Sequence, residues 1–117
     1  VFEVVVKVHG IKTCDTCRKA RKWLDEKGID YQWHDLREDG LGGAMVRRWL
    51  AALGPEILIN RRSTTWRAMD DSQRVAAMDA DGAIELLLEH PTLIKRPLFE
   101  WDDRILPGFN ETVREAL

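Results

Sequence analysis

Cysteine is scarce in this chain: two among 117 residues, at positions 14 and 17. A pair three positions apart cannot supply the several bridges that staple small extracellular domains, so the chain is expected to fold on an apolar core. An excess of one charge is lacking too. The 18 Lys and Arg against 20 Asp and Glu leave a net −2. No basic or acidic tail stands out, and no global field draws the chain to nucleic acid or to an anionic membrane. A stretch of about 18 apolar residues is absent, so no membrane-spanning helix is expected. The opening VFEVVVKV is broken by Glu3 and Lys7 and lacks a basic leader and a small-residue cleavage site, so it does not read as a signal peptide. Internal repeats and low-complexity segments are missing as well. These absences describe a soluble cytoplasmic domain, and 44% apolar residues suffice for one core in a single domain over 1–117.

Patterning supplies the plan. Phe2, Val4, Val6 and Val8 alternate, with Val1 and Val5 making the other face partly apolar, as in a buried strand that Gly10 ends. Ala20, Trp23, Leu24 and Lys27 recur at helical spacing from Asp15 onwards, and Gly28 closes that helix. Residues 29–36 alternate Ile29, Tyr31 and Trp33 before a turn at Asp39-Gly40. Strand, helix and strand form a crossover unit with parallel strands. The middle reads as helical. Met45, Trp49, Ala52 and Leu53 share a face that Gly54-Pro55 terminates. Ser72 can cap a helix with Val75 and Met78, and Asp81 one that buries Ala83, Ile84, Leu87 and Leu88 before Pro91. Towards the end, strands at Leu98–Trp101 and Arg104–Leu106 flank an Asp102-Asp103 turn, and Asn110 caps a last helix. The expected fold is α/β: a thioredoxin-like fold, βαβ plus ββα around a mixed four-stranded sheet, with a helical insertion at about 43–90.

The chemistry concentrates in HGIKTCDTCRKARKWL, residues 9–24. A helix start is electropositive and usually collects acidic side chains, yet Arg18, Lys19, Arg21 and Lys22 lie in the first turns here. A thiolate explains that inversion. Helix N-terminal N–H groups and nearby cations lower a thiol's pKa, so Cys14, just before the helix and within reach of Arg18, reads as a nucleophile. Cys17, one turn on, reads as the resolving thiol. Lys19 and Lys22 read as solvent-facing. Two other readings stay open at this level: inert buried thiols, and a zinc site completed by His9, His34 or His90, none of which has finger-like spacing. No metal site is assigned.

Beyond the cysteines, GPEILINRRSTTWR (54–67), HPTLIKRPL (90–98) and GFN (108–110) complete a pattern along nearly the whole chain. It resembles the ArsC/Spx family of thioredoxin-fold proteins, the glutaredoxin-coupled arsenate reductases and their relatives. The resemblance implies that Cys14 is the nucleophile and that Arg18, Arg62 and Arg96 hold a tetrahedral oxyanion. It also implies that Pro97 is the cis-proline beside the active cysteine. Guanidinium groups suit that task because they stay charged and bond oxyanions in bidentate fashion. Trp49 and Trp66 are expected in the core and Trp101 at the strand surface.

The chain also departs from the reductase pattern. A third remote arginine in the last hairpin is replaced near Pro107-Gly108, with Arg104 nearby but out of register. Cys17 stands where those reductases have serine, as in the Spx-like regulators. The resemblance thus implies a glutathione-dependent thiol oxidoreductase, acting on arsenate or on a mixed disulfide, and a monomer is expected. Glutathione would be co-substrate, glutaredoxin a partner, and no cofactor would be bound. The alternative is an Spx-like redox-sensing regulator that binds RNA polymerase.

Overall fold

β-branched side chains favour extended backbone, and Val6 and Val8 lie on β1 (Val6–Gly10) of the computed structural model, which describes residues 5–117. The expected contributions of Val1, Phe2 and Val4 lie outside the described residues. Helix α1 (Asp15–Glu26) buries Cys17, Ala20 and Leu24 and ends before Gly28, whose φ of 67° is a backbone state that glycine adopts without strain. Strand β2 (Tyr31–Asp35) then pairs parallel to β1, with Val8 opposite Trp33 and His9 opposite His34.

The chain divides into two compact units, 1–39 with 96–117, and 40–95. The second is helical, as expected, but several details differ. Helix α2 (Gly43–Leu53) buries Val46, Trp49 and Leu50, so the apolar stripe is turned one residue from the expected one; Met45 is half-buried and Ala52 exposed. Trp49 belongs to both stripes, and the branched Val46 and Leu50 offer more apolar surface than Ala52. Pro55 begins a new turn, α3 (Pro55–Leu58), because its fixed φ suits a first helical position. The short α4 (Thr64–Arg67) is capped by the Ser63 hydroxyl, which accepts from the Trp66 N–H, and it buries Trp66.

Helix α5 (Asp71–Ala76) is capped by Asp70, not Ser72. Asp70 accepts from the Gln73 N–H at 2.8 Å while Gln73 accepts from the Asp70 N–H at 3.1 Å. That reciprocal box satisfies two backbone donors and outcompetes a lone serine. Val75 and Met78 are exposed, not core. Helix α6 (Ala80–Glu89) has Asp79 at its cap position and Asp81 in its first turn; it buries Ala83, Ile84 and Leu87 but leaves Leu88 exposed. A 3-10 turn at Pro91–Leu93 follows, and an Ile59–Ile94 bridge ties the unit's end to its middle.

Back in the first unit, β3 (Leu98–Trp101) pairs antiparallel with β1 and turns at Asp102, φ 50°, into β4 (Arg104–Pro107). The sheet order is β2-β1-β3-β4. Helix α7 (Glu111–Ala116) starts at Asn110, whose side chain accepts from the Val113 N–H. Val6, Val8, Ala20, Leu24, Phe99, Trp101 and Val113 form one core. Trp101 is therefore a core residue, contrary to the surface position expected for it; the Arg104 guanidinium lies over its ring at 5.4 Å. The mixed sheet and element order are those of the thioredoxin-like plan, with a helical segment between its halves. Among the described residues, no helix is long and apolar enough to cross a membrane.

Candidate functional site

The loop between β1 and α1 is where the sheet hands a backbone to a helix start. Its residues 11–14 close a tight turn, the Cys14 N–H donating to the Ile11 carbonyl at 3.0 Å. Cys14 is the N-cap of α1 with extended backbone, and it is half-buried. Cysteine is a poor cap, and no side-chain cap bond forms. The orphan N–H groups of the helix start are thus left to act on the sulfur itself.

They do so. Burial by itself would raise the Cys14 pKa. The backbone N–H and thiol of Cys17, the Arg96 charge and the Thr16 N–H outweigh it and hold the thiol below its ordinary value. Cys17 behaves in the opposite way. It is 0% exposed, and burial together with the neighbouring Cys14 pushes it up to about 12, against a hydrogen bond from the Ile11 N–H. One sulfur is favoured as a thiolate and the other as a proton donor to it. Gly10 makes room for this arrangement. A β-carbon there would lie 2.6 Å from the Cys17 Sγ and 2.9 Å from the Trp33 ring.

Arg96 and Pro97 lie in the same unit as the cysteines. The Arg96–Pro97 peptide is cis, the bond type that the family pattern implies. The Arg96 Nε is buried with no hydrogen-bond partner among the described residues. A guanidinium N–H left without an acceptor is uncommon, and this one belongs to the cation whose charge reaches Cys14.

The basic residues of α1 separate into distinct roles. Arg18 is exposed and paired with Asp15. Arg21 lies over the Trp33 ring at 4.4 Å and donates to the Tyr31 hydroxyl at 3.3 Å. Lys19 and Lys22 face solvent, as expected. Arg62 belongs to the second unit. There it lines a cleft of about 370 Å³ with Arg61, Lys95 and Glu56, its own N–H held by the Asn60 side chain at 3.1 Å.

Two further groups lie around the loop, one that sequence reasoning passed over and one that it named only within the open zinc reading. Asp35, at the end of β2, accepts the Lys12 N–H at 2.9 Å; an Asp just before the Leu36–Gly40 stretch could have suggested a turn-forming side chain. The second group is His9, whose Nδ1 meets the Nδ1 of His34 at 2.8 Å while its Nε2 meets Glu100 at 3.1 Å. Among the described residues, no group of three or more His, Cys, Asp or Glu side chains is arranged to hold a metal ion.

Comparison with known proteins agrees with this geometry. The ArsC family matches residues 9–117. A protein of Haemophilus influenzae described only as uncharacterized is 42% identical over 112 residues, covering 96% of this chain and 97% of that one. The global transcriptional regulator Spx of Streptococcus pyogenes is 32% identical over 101 residues, covering 85% of this chain and 74% of that protein. The solution structure of an arsenate reductase (ArsC) related protein from Brucella melitensis is similar with a TM-score of 0.79 and 41% identity, covering 96% of this chain and 92% of that one. The match over 109 of 117 residues, with Cys14 at the helix start and cis-Pro97 in the matched region, places this chain in the ArsC family.

Proposed function

We propose that the protein is a thiol oxidoreductase of the arsenate reductase type, with glutathione as electron donor and the cytoplasm as its setting. One observation carries this reading: a thiol held below its ordinary pKa beside a guanidinium whose buried Nε has no partner. Such a pair is suited to an anionic, electrophilic substrate, because the cation stabilises both the attacking thiolate and the oxyanion charge that develops. The Cys14 thiolate attacks the arsenic of arsenate and displaces one oxygen as water, forming a sulfur–arsenic(V) bond. A glutathione thiolate attacks the Cys14 sulfur. The bonding pair leaves with arsenic, which is reduced to arsenite, and the two sulfurs are joined as a mixed disulfide. A second thiol, from glutathione or glutaredoxin, releases Cys14. A glutathione-capped disulfide would enter this cycle at the mixed-disulfide stage. Under the same reading, Arg18 is a further oxyanion contact and Pro97 shapes the substrate's approach.

The depth of Cys17 favours an external thiol as resolver. A buried sulfur with a raised pKa is a slow attacker at neutral pH, and it serves better as hydrogen-bond donor to Cys14. A second reading, an Spx-like regulator contacting RNA polymerase, is favoured by the Streptococcus pyogenes relative and by the two-cysteine motif.

The test is NADPH oxidation coupled through glutathione reductase, with glutathione and glutaredoxin present and either arsenate or a glutathione-capped disulfide added. Turnover that Cys14→Ser abolishes and Cys17→Ser retains is the expected result. Absence of turnover on both substrates, with capture of polymerase, would establish the regulator instead.

A further inference from the structure

The loop that presents Cys14 is short, and its own turn holds it together only locally. What fixes it to the sheet is Asp35. This side chain is 1% exposed, although it is an aspartate at the end of an edge strand. Its Oδ2 accepts the Lys12 N–H at 2.9 Å, and its Oδ1 accepts the Arg37 N–H at 2.8 Å and the Glu38 N–H at 2.9 Å. Alongside it, the Leu36 N–H donates to the Gly10 carbonyl at 2.8 Å. One carboxylate therefore joins the loop two residues before Cys14 to the turn that follows β2. Three N–H donors satisfy a buried carboxylate well enough to keep it ionised, and its pKa lies below the ordinary aspartate value, burial being outweighed by those bonds.

We propose that Asp35 is a positioning residue for Cys14: by holding the Lys12 N–H it sets the loop so that the Cys14 sulfur faces the first N–H groups of α1 and the Arg96 charge. This rests on the reading of Cys14 as the reactive thiolate. The reasoning is geometric. Lys12 and Thr13 are the central residues of the Ile11–Cys14 turn, so a rotation about Lys12 is passed directly to Cys14. The pull of an N–H dipole on a sulfur falls steeply with misalignment, and the depression of the Cys14 pKa depends on the N–H groups of Cys17 and Thr16 lying near it.

The sign of the effect separates positioning from plain charge. Asp35→Asn removes a negative charge, which through space can only favour the Cys14 thiolate. It also turns a donor towards the Lys12 N–H or towards those of Arg37 and Glu38, which frees the loop or its anchor and disfavours the thiolate.

The experiment measures the pH dependence of Cys14 alkylation by iodoacetamide in the full chain, with thermal midpoints recorded alongside. Asp35→Asn is expected to raise the alkylation midpoint by about one pH unit, leaving up to about tenfold less thiolate at pH values below the midpoint. Lys12→Pro removes the same hydrogen bond from its other end. Proline is well suited to the second position of a tight turn, and this variant should shift the midpoint in the same direction. Lys12→Ala, which keeps the N–H, should not. Asp39→Ala, which loosens the same turn by removing the acceptor of the Asp35 N–H without touching the loop, should lower the thermal midpoint and leave the alkylation midpoint in place.

An unchanged or lowered alkylation midpoint in Asp35→Asn would overturn the proposal, as would equal shifts in Asp35→Asn and Asp39→Ala. A wild-type midpoint at the ordinary cysteine value would instead overturn the thiolate reading beneath it.

Discussion

After the N–H and thiol of Cys17, the Arg96 charge helps to hold the Cys14 thiol below its ordinary pKa, while the buried Nε of Arg96 has no acceptor among the described residues. That relationship makes Arg96 a more direct partner of the sulfur than Arg18, which pairs with Asp15 at the surface. Arg96→Gln should raise the Cys14 alkylation midpoint and cut turnover by at least about tenfold, while Arg96→Lys should restore the thiol's pKa better than it restores turnover. A lysine keeps the charge but not the planar fork that grips an oxyanion. Alkylation profiles and initial rates at fixed pH measure the two effects separately, and Asp15→Ala should leave both nearly unchanged.

Cys17 is expected to be inert in the native protein. At pH 8, with Cys17 buried and its thiol pushed up to about 12, excess iodoacetamide should modify one sulfur per folded chain and two per unfolded chain, as counted by mass. Cys17→Ser retains a hydroxyl donor towards Cys14 and should keep most of the low pKa. Cys17→Ala removes the donor and should raise it. Rapid labelling of both cysteines in the folded protein would contradict this arrangement.

Most of the first unit was legible from residue order, because its signals are local and mutually consistent. Val6 and Val8 alternate, Gly28 closes α1, Asn110 caps α7, and the Leu98–Trp101 strand begins and ends where expected. The second unit was legible only as helical. In runs such as Asp70-Asp71-Ser72 and Asp79-Ala80-Asp81 several residues can cap, and the winner depends on which backbone leaves the helix first. The Cys14–Cys17 pair stood out because its signal lies within one helix turn, whereas Pro97 was singled out only through the family resemblance of residues 90–98. Asp35 was not legible, because its importance lies in bonding a segment 23 residues away. Trp101 was misjudged since a tryptophan near a hairpin turn has no sequence mark that tells core from surface.

Gly10 is required by close approach. Gly10→Ala would place a methyl group within 2.6 Å of the Cys17 sulfur and 2.9 Å of the Trp33 ring. Neither can retreat easily: Cys17 is fixed on α1, and the Trp33 ring is held under Arg21. Overpacking of this kind costs roughly 1–3 kcal/mol, so the urea midpoint should fall measurably. The same variant should disturb the Cys17 donor and raise the Cys14 alkylation midpoint. Cys17→Ala, by clearing space, should recover part of the lost stability of Gly10→Ala.

Stability should decline in mild acid because of His9. Its Nε2 bonds Glu100, so when that carboxylate is ionised the proton sits on Nε2, and the Nδ1 lone pair accepts from the Nδ1–H of His34. A second proton on His9 would set two donors face to face across 2.8 Å unless His34 gave up its own. Burial, opposed by the Glu100 hydrogen bond, lowers the His9 pKa from 6.5 to about 4. The unfolded chain therefore binds more protons than the folded one between those values, so unfolding is favoured as pH falls through that window. The contribution is complete above pH 6.5 and amounts to about 3 kcal/mol when lost. Urea unfolding of wild type from pH 7.5 down to 4 should show that slope, and His9→Gln should remove it while leaving the slope due to the remaining carboxylates. Equal pH slopes in the two proteins would mean that His9 takes up its proton in the folded chain as readily as in the unfolded one.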